Sequence, residues 1–141
     1  MKRIIIVTVV VSLIAAVAYG GSPYMPTDAE RARWTLHDMK SWKIALEAYR
    51  QDNGSYPAGA TLQDAAVAVE GKYISTVPMH DAWGRAYVYE STNSGFILAS
   101  AGADGRFDRS SWATAGQLDS LEGDAVITEQ GRFWLRSWKF R

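Results

Sequence analysis

From Ala32 onward, apolar residues recur at Leu36, Met39, Trp42, Leu46 and Tyr49, in steps of three and four. That spacing draws one stripe along an α-helix, and the stripe must be buried against another element. Thr27-Asp28-Ala29-Glu30 precedes it. This is a Thr-x-x-Glu capping box, in which hydroxyl and carboxylate satisfy amides left open at a helix start. The helix is expected to end near Gln51 or Asp52. Gly54 can close it in a left-handed conformation at little steric cost, and Pro57 prevents its resumption.

Thr61-Leu62-Gln63-Asp64 repeats the capping logic and predicts a short second helix through Glu70, terminated by Gly71. The periodicity then changes to two. Trp83-Gly84 is a turn, and Ala86 to Glu90 a strand with Tyr87 and Tyr89 on one face and Ala86 and Val88 on the other. Ser91 to Gly95 is turn material, and Phe96 to Ala101 returns as the antiparallel partner. A hairpin alone is marginal in water, so the long helix laid across its apolar face completes the fold. The predicted class is α+β: a long N-terminal helix on a small antiparallel sheet.

Between Gly102 and Gly123 the periodicity disappears while acids gather: Asp104, Asp108, Asp119 and Glu122, then Asp124 just beyond. A loop this long inside a small domain is expected to be fastened by something. Val126 and Ile127 resume apolar character, and the alternating bulky and polar residues of 131–141 predict a last strand.

The N-terminus carries a different pattern. Lys2 and Arg3 precede an uncharged run, Ile4 to Ala18, followed by Tyr19, Gly20, Gly21, Ser22 and Pro23. Fifteen to sixteen residues rising about 1.5 Å each span roughly 24 Å, against a hydrocarbon thickness of ~30 Å. Residues 1–20 are therefore either a signal peptide, with Ala16-Val17-Ala18 before the cleavage point, or a membrane anchor. Residues 21–26 form a linker and 27–141 the domain, which is expected outside the cytoplasm: periplasmic, anchored at the inner membrane, or secreted.

Charge adds little. Fifteen basic and fifteen acidic residues cancel, and losing Lys2 and Arg3 with a leader leaves 13 against 15. Nothing steers the chain toward nucleic acid. Cysteine is absent, which excludes disulfides and thiolate metal sites. His37 and His80 lie far apart and form no metal-binding pair. No nucleophile motif accompanies them, so catalysis is not expected.

Four stretches, taken in order, resemble a known family: the C-terminal globular domain of the major pseudopilin, the G subunit, of bacterial type II secretion systems, itself related to type IV pilins. "DMKSWKIALEAYRQDNGSYP" is similar to the family's helix end and its Asp-Asn-Gly-x-Tyr-Pro turn. "GKYISTVP" follows it. "DAWGRAYVYE" stands where the family has Asp-Pro-Trp-Gly-x-x-Tyr-x-Tyr, with Ala82 replacing the proline. "FILASAGADG" resembles the family's strand and acidic loop. Together these blocks cover Asp38 to Gly105.

The resemblance implies a noncatalytic assembly subunit whose partners are other secretion-machine or pilin-like subunits, including copies of itself, with the N-terminal segment at the membrane if uncleaved. It also implies calcium in the acidic loop. By position, Asp104 and Asp124 match the family's ligands; Gly123 stands where a second acid is frequent, and Asp108, Asp119 or Glu122 can supply that acid. Hard cations take six to eight oxygen ligands, which a flexible acidic loop can offer.

The chain departs from the family near its start. No residue from Ile4 to Ala18 can ionise where pilins carry a glutamate, and no glycine precedes the run. Gly20-Gly21-Ser22-Pro23 and Pro26 interrupt a continuous helix. A pseudopilin head on a different export or anchoring device fits this pattern. The alternative is a free-standing exported binding domain for a protein or glycan ligand. In the C-terminal segment Arg132, Arg136, Lys139 and Arg141 interleave with Phe133, Trp134, Trp138 and Phe140. This is either an edge strand guarded by charge or a contact surface for a subunit or anionic lipid.

Overall fold

The computed structural model describes residues 23–59, 61–92, 94–112 and 123–130. The leader, Asp119, Glu122 and the basic aromatic segment 131–141 lie outside them, and with them the expected last strand. No helix among the described residues is long and apolar enough to cross a membrane.

Helix α1 runs Asp28–Asn53 and begins as its capping box requires: the Thr27 hydroxyl accepts from the Glu30 amide and the Glu30 carboxylate from the Thr27 amide, at 3.3 and 2.8 Å. It ends at Asn53, just past the expected Gln51 or Asp52, and Gly54 caps it with a φ of 81° that lets its amide reach the Arg50 carbonyl at 2.8 Å. Ala32, Thr35, Met39, Trp42, Ala45 and Leu46 are buried, whereas Leu36 and Tyr49 sit half-buried at the margins. Thr35 joins the buried face because its polar groups are used there. Its hydroxyl accepts the Ala82 amide at 3.0 Å, and its carbonyl accepts the Tyr87 hydroxyl at 3.4 Å.

Helix α2, Leu62–Val69, starts from Thr61 and Asp64 in a second capping box and buries Leu62, Ala65, Ala66 and Val69. It stops one residue before the expected Glu70, which caps it from an extended conformation while Gly71 takes the left-handed turn.

Three strands form one antiparallel sheet in the order β1-β2-β3: β1 Val88–Ser91, β2 Phe96–Ser100 and β3 Ala125–Thr128. The first strand starts later than Ala86, which forms only an isolated bridge with His80. Pairing of Tyr89 with Leu98, and of Leu98 with Ile127, puts one row across the sheet on the helix side. All three are buried there, with Phe96 beside them. Tyr56 meets Phe96 edge-on at 5.0 Å, and its hydroxyl donates to Glu47 at 2.9 Å. Burial, and then the hydrogen bond to Glu47 and its charge, push the Tyr56 phenol up to about 12. The turn after α1 is thus fastened into the core that α1, α2 and the sheet share.

Two contacts fix α1 against the rest. Trp42 is fully buried and its indole nitrogen donates to the Pro78 carbonyl at 2.7 Å. Lys43 donates to the carbonyl of Glu129, just past β3, at 3.1 Å.

Candidate metal-binding loop

The register of β2 and β3 determines where the acidic loop begins and ends. Ser100 pairs with Ala125, so the segment leaving β2 and the segment entering β3 start side by side at one end of the sheet. Asp124 is held at that junction and is only 3% exposed. Its Oδ2 accepts the Asp108 amide at 2.8 Å and the indole N–H of Trp112. Its Oδ1 is buried and has no hydrogen-bond partner among the described residues.

A buried carboxylate normally satisfies both oxygens, because an unpaired acceptor has lost its water without compensation. Burial accordingly raises the Asp124 pKa. The Trp112 and Asp108 donors oppose that rise, and the charges of Asp104 and Asp108 add to it. Asp124 therefore feels the two other loop carboxylates, with one buried oxygen left open.

Asp104 and Asp108 are exposed. Asp104 accepts the Arg106 amide at 2.9 Å, a local turn that fixes its side chain at the loop surface. A short helix, α3 Arg109–Trp112, follows. Within it Arg109 pairs with Glu90 of β1 at 2.6 Å and stacks over Trp112, while Phe107 meets the same indole edge-on at 5.8 Å. These contacts fold the middle of the loop back onto the sheet.

The donor set suits a hard cation and no other kind: carboxylate and carbonyl oxygens, without thiolate or imidazole. Among the described residues no three acidic or histidine side chains are gathered into a ready-made metal site. The fit to calcium rests on the open Asp124 oxygen and on the mutual repulsion of its carboxylate neighbours, which a cation would relieve. His37 lies on the exposed face of α1, and His80 takes part in the bridge with Ala86.

The first turn of the loop is fastened by residues that the sequence pattern did not single out. Asp81 is buried and accepts from the Trp83 and Arg85 amides and from the Ser100 hydroxyl, at 3.0, 2.9 and 2.7 Å. The Ser100 hydroxyl in turn accepts the Gly102 amide at 3.2 Å. Arg85 reaches the carbonyls of Gly102 and Ala103. "DAWG" carried a signal for Asp81, since an aspartate two residues ahead of a turn amide is a common turn initiator. Nothing local pointed to Arg85, whose partners lie seventeen and eighteen residues away.

Comparison with known proteins agrees with the geometry. The chain matches the family described as type II secretion system (T2SS), protein G, over residues 25–113. It is also similar to the type II secretion system core protein G of Pseudomonas aeruginosa, with 29% identity over 119 residues, covering 74% of this chain and 81% of that protein. The family match includes Asp104 and Asp108 and stops before Asp124.

Proposed function

We propose, given that this chain belongs to the type II secretion system protein G family, that its head is a noncatalytic assembly module whose acidic loop is ordered by calcium. Membership makes the protein a pseudopilin, a structural subunit of type II secretion that assembles with other pilin-like subunits of the machine. The mechanism is surface complementarity. Helix α1 gives one face to the sheet and leaves Trp34 and Ile44 exposed on the other, at 48% and 70%. Apolar side chains of that size on a solvent face suit burial against a neighbouring subunit.

One observation carries the metal reading: Oδ1 of Asp124, buried and unpartnered among the described residues. Asp124 would hold the ion from inside and Asp104 from the loop surface. Asp108, Asp119 and Glu122 are the further carboxylates of this loop. A bound dication would neutralise the crowded charges and close the loop against the sheet. The test is thermal unfolding with and without chelator. Chelation lowers the melting temperature of the native protein and Asp104→Ala removes the difference; equal melting of the native protein in both conditions contradicts the reading.

A second reading, a free-standing exported binding domain, is favoured by one feature. A groove of about 460 Å³ lies on the outer face of the sheet, between Trp112, Glu90, Ile97, Thr128 and the hairpin residues Thr92 and Gly95. An aromatic wall beside hydroxyls and a carboxylate suits a polar ligand such as a glycan. Co-purification with secretion subunits supports the assembly role, and a monomer that binds glycans supports the second.

A further inference from the structure

The loop's first turn closes around a cation that the protein already owns. Gly102 and Gly105 both have left-handed backbone, with φ of 59° and 72°. The Gly105 amide donates to the Ala101 carbonyl at 3.2 Å, closing residues 101–105 into a single turn. That turn aims two consecutive carbonyls, of Gly102 and Ala103, at the guanidinium of Arg85. On its far side the backbone of Gly105 lies so close that a Cβ there would stand 2.7 Å from Arg85 Nε. The guanidinium is gripped between carbonyls and glycine, and its own backbone is fixed through Asp81, which also holds Ser100.

We infer that Arg85 is a positioning residue for the acidic loop, a permanent cationic clasp that holds residues 101–105 in their turn whether or not metal is bound. Arginine does not lose its proton at any ordinary pH, and its planar fork suits two adjacent acceptors. A chelator cannot remove it. The clasp also divides the loop's oxygens. Two carbonyls already engaged by Arg85 are occupied, and the guanidinium charge repels a second cation beside them, so a dication is directed to the carboxylates of Asp104, Asp108 and Asp124. This division rests on the calcium reading, whereas the clasp itself does not. Clasp and metal thus act on one loop through different atoms: Arg85 on the carbonyls of Gly102 and Ala103, the metal on the carboxylates.

Amide exchange by NMR on isotope-labelled protein separates the two. In the native protein stripped of metal by chelator, the Gly105 amide remains protected against exchange. In Arg85→Met, which keeps an apolar stem and loses the guanidinium with its charge and donors, Gly105 exchange rises at least about tenfold while the amides of β2 keep their protection. A native Gly105 that loses protection on chelation, or one unaffected by Arg85→Met, overturns the inference. Melting temperatures supply a second measure that does not depend on exchange. Gly105→Ala must push the guanidinium aside, so its cost is smaller in the Arg85→Met background than in the native one, and strictly additive costs contradict the clasp. An Arg85-dependent Gly105 in a protein that calcium leaves wholly unchanged supports the clasp and removes the metal reading.

Discussion

The indole of Trp112 donates to one oxygen of the Asp124 carboxylate while the other oxygen of the same group, buried, meets no donor among the described residues. Half of the charge is thus stabilised and half is left exposed to the low dielectric of the interior. That asymmetry sets the first expectation. Trp112→Phe keeps an aromatic ring beside Phe107 but removes the N–H together with part of the indole, leaving Oδ2 with the Asp108 amide. Urea unfolding in chelator should show a loss of about 1.5–3 kcal/mol, the range for a hydrogen bond to a charged group. No loss would mean that the indole is packing alone.

Acid should help Asp124, contrary to the usual carboxylate. Its folded pKa is raised by burial above the ordinary value, so the folded state binds this proton more tightly than the unfolded chain. The penalty is fully present above the raised pKa. It diminishes as pH falls through that pKa and is gone below the ordinary carboxylate value. Asp124→Asn lacks the penalty throughout. In chelator at neutral pH it should therefore equal or exceed the native protein in stability, by up to about 1 kcal/mol, and the two should converge on acidification. Denaturant midpoints of both proteins from pH 7 to pH 4 check the sign, and a gap that widens toward acid contradicts it.

The helix-to-loop contact at Trp42 should be costly to remove. Its side chain is fully buried and its N–H reaches the Pro78 carbonyl at 2.7 Å. Trp42→Phe loses that bond and part of the packing, for about 2 kcal/mol, and Trp42→Ala about 3–5 kcal/mol. Far-UV circular dichroism during chemical unfolding measures both. A Trp42→Ala protein as stable as the native one would mean that α1 does not depend on the sheet and its connections.

Much of this arrangement was legible from local chemistry, and the limits are equally physical. Thr27 with Glu30, and Gly54, announced both ends of α1 because capping is a contract among residues three or four apart. Strict alternation placed Tyr87 and Tyr89 together on one face of the hairpin, and their burial against the helix marks that face as the inner one. Thr35 escaped the stripe because a hydroxyl counts as polar until its partner, the Ala82 amide, is known. Strand β3 escaped because four residues, Ala125 to Thr128, are too short to show a period, and their pairing with β2 is a long-range fact. In the loop, Asp104 and Asp124 were visible as acids. The open oxygen of Asp124 and the grip of Arg85 on Gly102 and Ala103 depend on how distant segments meet. Asp119 and Glu122 lie outside the described residues.

The proposal that calcium orders this loop through Asp124 is tested most directly by titrating calcium into chelator-stripped protein in a calorimeter, beside Asp124→Asn. The native protein should show a saturable single-site binding heat, and Asp124→Asn should show none at the same concentrations. Native protein that gives no heat, or an Asp124→Asn protein that binds as the native one does, would contradict it.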